Sequence, residues 1–124
     1  MRVLIVEPQK MPYEANINKD LHSMQRVVGG LIECVDLDNE TTLVCNEEGK
    51  LQGLEGNRRV GRDIIAGTFF ICGFNDDGEF ASLTDEQISK YKDKFYEPES
   101  FSYYDMQEPE FFEIFYADDE DLEL

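Results

Sequence analysis

Asp63-Ile64-Ile65-Ala66-Gly67-Thr68-Phe69-Phe70-Ile71-Cys72-Gly73-Phe74 is the longest nearly uncharged run in the chain. β-Branched and aromatic side chains dominate it, which is the chemistry of a strand. It is apolar on both alternations, so both of its faces are expected to be covered, and it reads as the central strand of a sheet. Gly67 and Gly73 interrupt the run, and glycine inside a strand marks a bulge or the close approach of another backbone.

Outward from this run, the N-terminal side supplies further strands. Arg2 to Glu7 is a short apolar strand closed by Pro8, and Tyr13 to Ile17 alternates weakly as an edge strand. Asn18 or Asp20 can cap a helix on which Leu21, Met24, Val27 and Val28 share a face, and Gly29-Gly30 ends it. Leu31 to Leu37 and Thr42 to Cys45 are strands around an Asp38-Asn39 turn. Asn46-Glu47-Glu48-Gly49 reads as a hairpin turn with glycine at positive φ, from which Leu51 to Leu54 returns. Gly53, Gly56 and Gly61 frame a loop that carries Asn57, Arg58, Arg59 and Arg62.

On the C-terminal side, Asn75-Asp76-Asp77-Gly78 is a turn, and Glu79 to Ala81 can pair back. Thr84-Asp85-Glu86-Gln87 is a capping box, followed by Ile88, Tyr91 and Phe95 on one face. Lys90, Lys92 and Lys94 suit the negative end of that helix, and Pro98 stops it. The pattern predicts an α+β domain: a mixed or mostly antiparallel sheet around 64–74, with two main helices near 20–28 and 85–95.

The composition changes after residue 96. The chain of 124 residues carries 28 acidic and 11 basic side chains, a formal charge of −17. The last 28 residues hold 11 of the acids, no Lys or Arg, and seven of the aromatic residues. The expected organisation is therefore an α+β domain over 1–96 and an acidic, aromatic extension over 97–124, partly packed on the domain. Acidic segments without structure are poor in aromatics, which this one is not. Phe111/Phe115 and Phe112/Tyr116 suit a helix begun at Pro109, and the same letters alternate as a strand.

The charge argues against direct binding to nucleic acid or to an anionic membrane, which needs clustered cations. It favours a basic partner, including a protein that itself binds nucleic acid. No run approaches the roughly 20 apolar residues of a membrane span. Met1 to Glu7 is too short for a signal peptide, so the expected location is the cytoplasm. Cys34, Cys45 and Cys72 have no metal-ligand spacing and read as buried, reduced thiols.

The sequence offers no catalytic constellation. His22 is the only histidine, and nothing pairs it with Cys45 as base and nucleophile. The glycines from Gly53 to Gly61 lack the Lys-Ser/Thr of a phosphate loop. A calcium-loop register through Gly78 fails, because Gly73 and Thr84 would fall at ligand positions. Asp36, Asp38 and Glu40, like Asp118-Asp119-Glu120-Asp121, read as solvated charge. No cofactor and no metal are expected. The polar group of Asn46, Glu47, Glu48, Asn57 and Arg58 has two readings. One is a small site in which Arg58 and Arg59 grip a carboxylate or phosphate; the other is a turn whose carboxylates pair with Lys50 and Arg58.

Several pieces together resemble a known family. They are Val6-Glu7-Pro8 with Pro12-Tyr13; Met24-Gln25 with Val28-Gly29-Gly30; Val44 to Lys50 with Gly53-Leu54 and Asn57-Arg58; Asp63 to Phe70; and Ser82-Leu83-Thr84. Over about residues 1–96 the chain resembles the bacterial and phage family called domain of unknown function 3846. The resemblance implies a small protein of phages, plasmids or conjugative elements and implies no activity. The segment from Asn57 to Asp63 is shorter than the family pattern, and the acidic extension lies outside it.

The resulting expectation is a non-catalytic acidic interaction protein, acting as a nucleic-acid mimic that blocks a host restriction or CRISPR protein. Its acidic contact residues would be Glu108, Glu110, Glu113, Asp118, Asp119, Glu120 and Asp121, and its aromatic ones Phe111, Phe112, Phe115 and Tyr116. One alternative is an interaction module docking through those aromatics, with charge incidental, and another is an enzyme of undefined reaction. A homodimer is compatible with either binding reading.

Overall fold

A computed structural model describes residues 1–107. The chain forms β1 (Arg2–Val6), β2 (Tyr13–Asn16), α1 (Leu21–Val28), β3 (Ile32–Asp36), β4 (Thr41–Asn46), β5 (Gly56–Val60), β6 (Asp63–Ala66), β7 (Phe69–Phe74), β8 (Phe80–Ala81) and α2 (Asp85–Lys94). A single 3-10 turn follows at Tyr104–Met106. The fold is α+β, and every strand pair is antiparallel.

The main sheet runs in the order β2-β1-β7-β4-β3, with β8 paired to the end of β7. Strand β7 is central because both its faces are apolar. Phe69 and Ile71 join Leu4, Val6, Leu43 and Cys45 beneath Ile88 and Tyr91 of α2 and Phe95 at its C-cap. Phe70 and Cys72 join Val3, Ile5 and Val44 beneath Met24 and Val28 of α1. The period of two on each strand thus divides the core into two layers, with one helix over each face. Both helices begin at the predicted caps. Asp20 accepts from Ser23 N–H, and Thr84 exchanges bonds with Gln87 in the capping box.

The run from Asp63 to Phe74 is not one strand. It breaks at Gly67, whose φ of 84° sends β6 into a separate two-stranded sheet with β5 while β7 enters the main sheet. The Gly67 N–H donates to Glu55 O at 2.7 Å, and a Cβ there would meet Leu54 Cδ1 at 2.7 Å. Ile65 and Val60 place the small hairpin on the α2 side of the core.

The expected return strand at Leu51 to Leu54 is absent, and successive turns replace the hairpin. Glu48 N–H donates to Asn46 Oδ1 at 2.8 Å, and Gln52 N–H to Glu48 O at 2.9 Å, winding the chain toward β5. Gly49 has no positive φ. It is needed because a Cβ would lie 2.7 Å from Ala66 O. The segment expected as a loop around Asn57 and Arg58 is strand β5, and its first three residues are buried. Cys45 and Cys72 are buried as expected, whereas Cys34 is exposed on β3, the last strand of the sheet.

Candidate functional site

The polar residues between 46 and 63 divide into an interior set and a surface set. Asn46 is buried, with Nδ2 donating to Val28 O and to Gln52 Oε1, each at 3.2 Å. It ties the end of α1 to the 47–53 turns. Asn57 is fully buried, and its Nδ2 joins Val6 O at 2.8 Å to Gly67 O at 2.9 Å. That clamp holds β1, β5 and the Gly67 break together.

Arg58 has no exposed surface. Its Nε donates to Phe95 O at 3.0 Å and its Nη2 to Lys10 O at 2.6 Å. Its Nη1 reaches Asn57 O and Oδ1 at 3.2 and 2.8 Å. Phe95 is the C-cap of α2, so the guanidinium meets the negative end of that helix. Burial lowers the Arg58 pKa from its ordinary value, yet an arginine so placed stays charged. The reading in which Arg58 grips an external anion is therefore corrected: its donors face protein carbonyls, and no ligand reaches it. The reading of local pairing is corrected as well, since Lys50 pairs with Asp63 rather than with Glu47 or Glu48.

Glu47 and Glu48 are exposed. Arg59 is also exposed, and its guanidinium lies over the Phe101 ring at 5.8 Å. Residues 97–107 run back across β5. Gln9 donates to Glu99 O at 3.0 Å and Arg59 N–H to Glu99 Oε2 at 3.2 Å, with Phe101 and Met106 lying over Gly56. Beside them opens a groove of about 590 Å³ lined by Leu51, Leu54, Phe101, Tyr103 and Met106, with Lys50 at its wall.

Cys45 has no nucleophilic character. Burial, with Glu33 adding, pushes its thiol up to about 12, and its Sγ contacts Glu33 O at 3.7 Å. A thiol so shifted stays protonated at neutral pH. His22 lies exposed on α1. Among the described residues no group of three or more His, Cys, Asp or Glu side chains is placed to hold a metal ion.

The surface carboxylates collect at one end of the sheet. Phe74 N–H donates to Glu40 O at 2.9 Å, which joins the β3–β4 turn to the β7–β8 turn. Asp36, Glu40, Asp76, Asp77 and Glu79 are all exposed there. Against them stands Lys90, 3.4 Å from Asp38. Burial opposes ionisation of Asp38, but hydrogen bonds from Tyr91, Thr41, Glu40 N–H and Lys90 outweigh it and hold the carboxyl below the usual range. Sequence reasoning missed the acids of β3 as a surface. The available signal was that six acids and no Lys or Arg lie between Arg26 and Lys50. Glu108, Glu110, Phe111, Phe112, Glu113, Phe115, Tyr116, Asp118, Asp119, Glu120 and Asp121 lie outside the described residues.

The model of the domain of unknown function DUF3846 matches residues 1–96. The chain belongs to the DUF3846 family. No curated protein and no solved structure matches it. The matched span ends at Tyr96, directly after α2, so this DUF3846 domain contains the two α-helices and eight strands of the described residues. Its Asn46, Asn57 and Arg58 are the interior fastenings of that fold. No described helix is long and apolar enough to cross a membrane.

Proposed function

We propose that this DUF3846 protein acts by binding, and that its acidic surface occupies a basic, nucleic-acid-binding surface of a host defence protein. The observation that carries the reading is the gathering of exposed carboxylates on the two joined turns and on β3, in a chain of net charge −17. Such crowding costs self-repulsion unless an opposite charge meets it. Duplex DNA carries about one charge per 1.7 Å of axis, so a protein that grips DNA presents dense cations to which this surface is complementary. The proposal places the chain on a phage or other mobile element. It acts in the host cytoplasm, where blocking a restriction or CRISPR nuclease is useful. Charge would speed encounter, and apolar contact would slow release.

The test is competition. The purified protein is titrated into a restriction or CRISPR nuclease of its host, and DNA binding is followed at low and moderate salt. Displacement of DNA that weakens as salt rises supports the reading. If no host nucleic-acid-binding protein loses DNA at either salt, the reading fails.

The groove beside Phe101 favours a second reading, an interaction module that receives an apolar side chain of its partner. Leu51 and Tyr103 line it, exposed by 86% and 77%. Association through such a groove would change little with salt.

A further inference from the structure

The main sheet ends at β3, and among the described residues nothing pairs with the outer side of that strand. Glu47 N–H donates to Leu31 O at 2.8 Å and Leu37 N–H to Thr41 O at 2.9 Å. With the register of β3 on β4, these bonds turn the backbone of Leu31, Glu33, Val35 and Leu37 toward β4. Antiparallel ladders alternate, so the N–H and C=O groups of Ile32, Cys34 and Asp36 point away from the sheet. They form an open edge of the kind to which an extended segment adds.

The side chains on this edge have one sign. Glu33 and Asp36 are exposed and, being an odd number of residues apart, lie on opposite faces of the strand. Glu47 and Glu48 flank one end and Asp38 and Glu40 the other. Among the described residues only Asp38 of these six makes a salt bridge. The opposite edge of the sheet, β2, differs: there Glu14 is neutralised by Arg2 of β1 at 2.8 Å, and in the connection before β2 Lys10 lies 3.6 Å from Glu7. Like charges placed opposite each other destabilise strand pairing. The β3 carboxylates therefore repel a second copy of this chain, as charged edges commonly do, and attract a strand that carries cations.

The geometry points to the outer edge of β3 as a docking site for an extended, basic segment of a partner protein, which adds to the sheet as a further strand. The inference rests on the reading that the partner is basic, and it names where that partner binds. Backbone bonds to Ile32, Cys34 and Asp36 would hold the segment. Glu33 and Asp36 would select Lys or Arg on its two faces.

The probe is the blocked peptide Arg-Val-Thr-Arg-Val-Thr-Arg, whose cations recur at the spacing of Glu33 and Asp36; the same peptide with Glu for Arg is the control. Binding to the full chain is followed by amide NMR and hydrogen exchange. The expected result is binding of the Arg peptide only, with new protection at the amides of Ile32, Cys34 and Asp36. Cys34→Pro removes an outward N–H without taking a bond from the β3–β4 ladder, so it should fold as the wild type and lose most of the affinity. Glu33→Gln and Asp36→Asn should each weaken binding about two- to fivefold at low salt. If the Arg peptide binds but protects other amides, or binds folded Cys34→Pro unchanged, the edge inference is overturned while the electrostatic reading stands. If the peptide does not bind at all, the edge inference is overturned too, and DNA competition decides the wider reading separately.

Discussion

Arg58→Met should destabilise the domain without touching a binding surface. The side chain is fully buried and donates to Phe95 O at 3.0 Å, Lys10 O at 2.6 Å and Asn57 Oδ1 at 2.8 Å. Methionine fills a similar length but leaves three acceptors without these donors. Hydrogen bonds from a charged group contribute about 1.5–3 kcal/mol each, a gross loss of about 4.5–9 kcal/mol for three. Removing a buried charge relieves its desolvation, which offsets a large part of that loss. The net expectation is about 3 kcal/mol, a sizeable fraction of the stability of a small domain. In a chain of this size that lowers Tm by about 10–20 °C. Urea unfolding followed by circular dichroism measures it, and Arg58→Lys should fall between, because an ammonium cannot reach all three segments. A variant within about 0.5 kcal/mol of wild type would refute the interior role. So would a variant of normal stability that has lost partner binding, because Arg58 would then face a ligand.

Two further outcomes follow from local geometry. Gly67→Ala forces a side chain into φ of 84° and against Leu54, so it should cost about 2 kcal/mol or more by urea unfolding. Stability equal to wild type would mean that the chain does not break there. The Asp38 carboxyl is held below its ordinary value, so its contribution is complete above the unfolded pKa of about 4 and declines as pH falls toward the folded one. The stability gap between wild type and Asp38→Asn should therefore be flat from neutral pH to about pH 5 and narrow below about pH 4; a gap that widens on acidification would contradict this.

Local signals in the sequence were read well. The Thr84 capping box and the Asp20 cap sit within three residues of their partners, and both helices begin there. The two-sided apolar character of β7 is likewise visible in its own letters. The break at Gly67 was not legible, because β6 and β7 have the same apolar chemistry and only the backbone angle assigns them to different sheets. Nor was the interior of β5. Asn57 and Arg58 look like loop residues between glycines, and they are buried by partners 37 to 51 residues away in sequence. Those are tertiary contacts that no local window contains. The edge formed by β3 was half legible. Its acids were plain, but its position at the end of the sheet depends on strand order, which the letters do not specify.

The central claim is that charge drives association with a basic, nucleic-acid-binding partner. Its most direct test is the salt dependence of binding to the host nuclease from which this protein displaces DNA. The account predicts that log K falls steeply as salt rises from about 50 to 500 mM, since the screening length shrinks from about 14 Å to about 4 Å over that range. It also predicts a shallower slope when Asp36, Glu40, Asp76, Asp77 and Glu79 are replaced by Asn and Gln. Affinity that is constant across that range, and the same in the neutralised variant, would contradict it and leave the apolar groove as the contact.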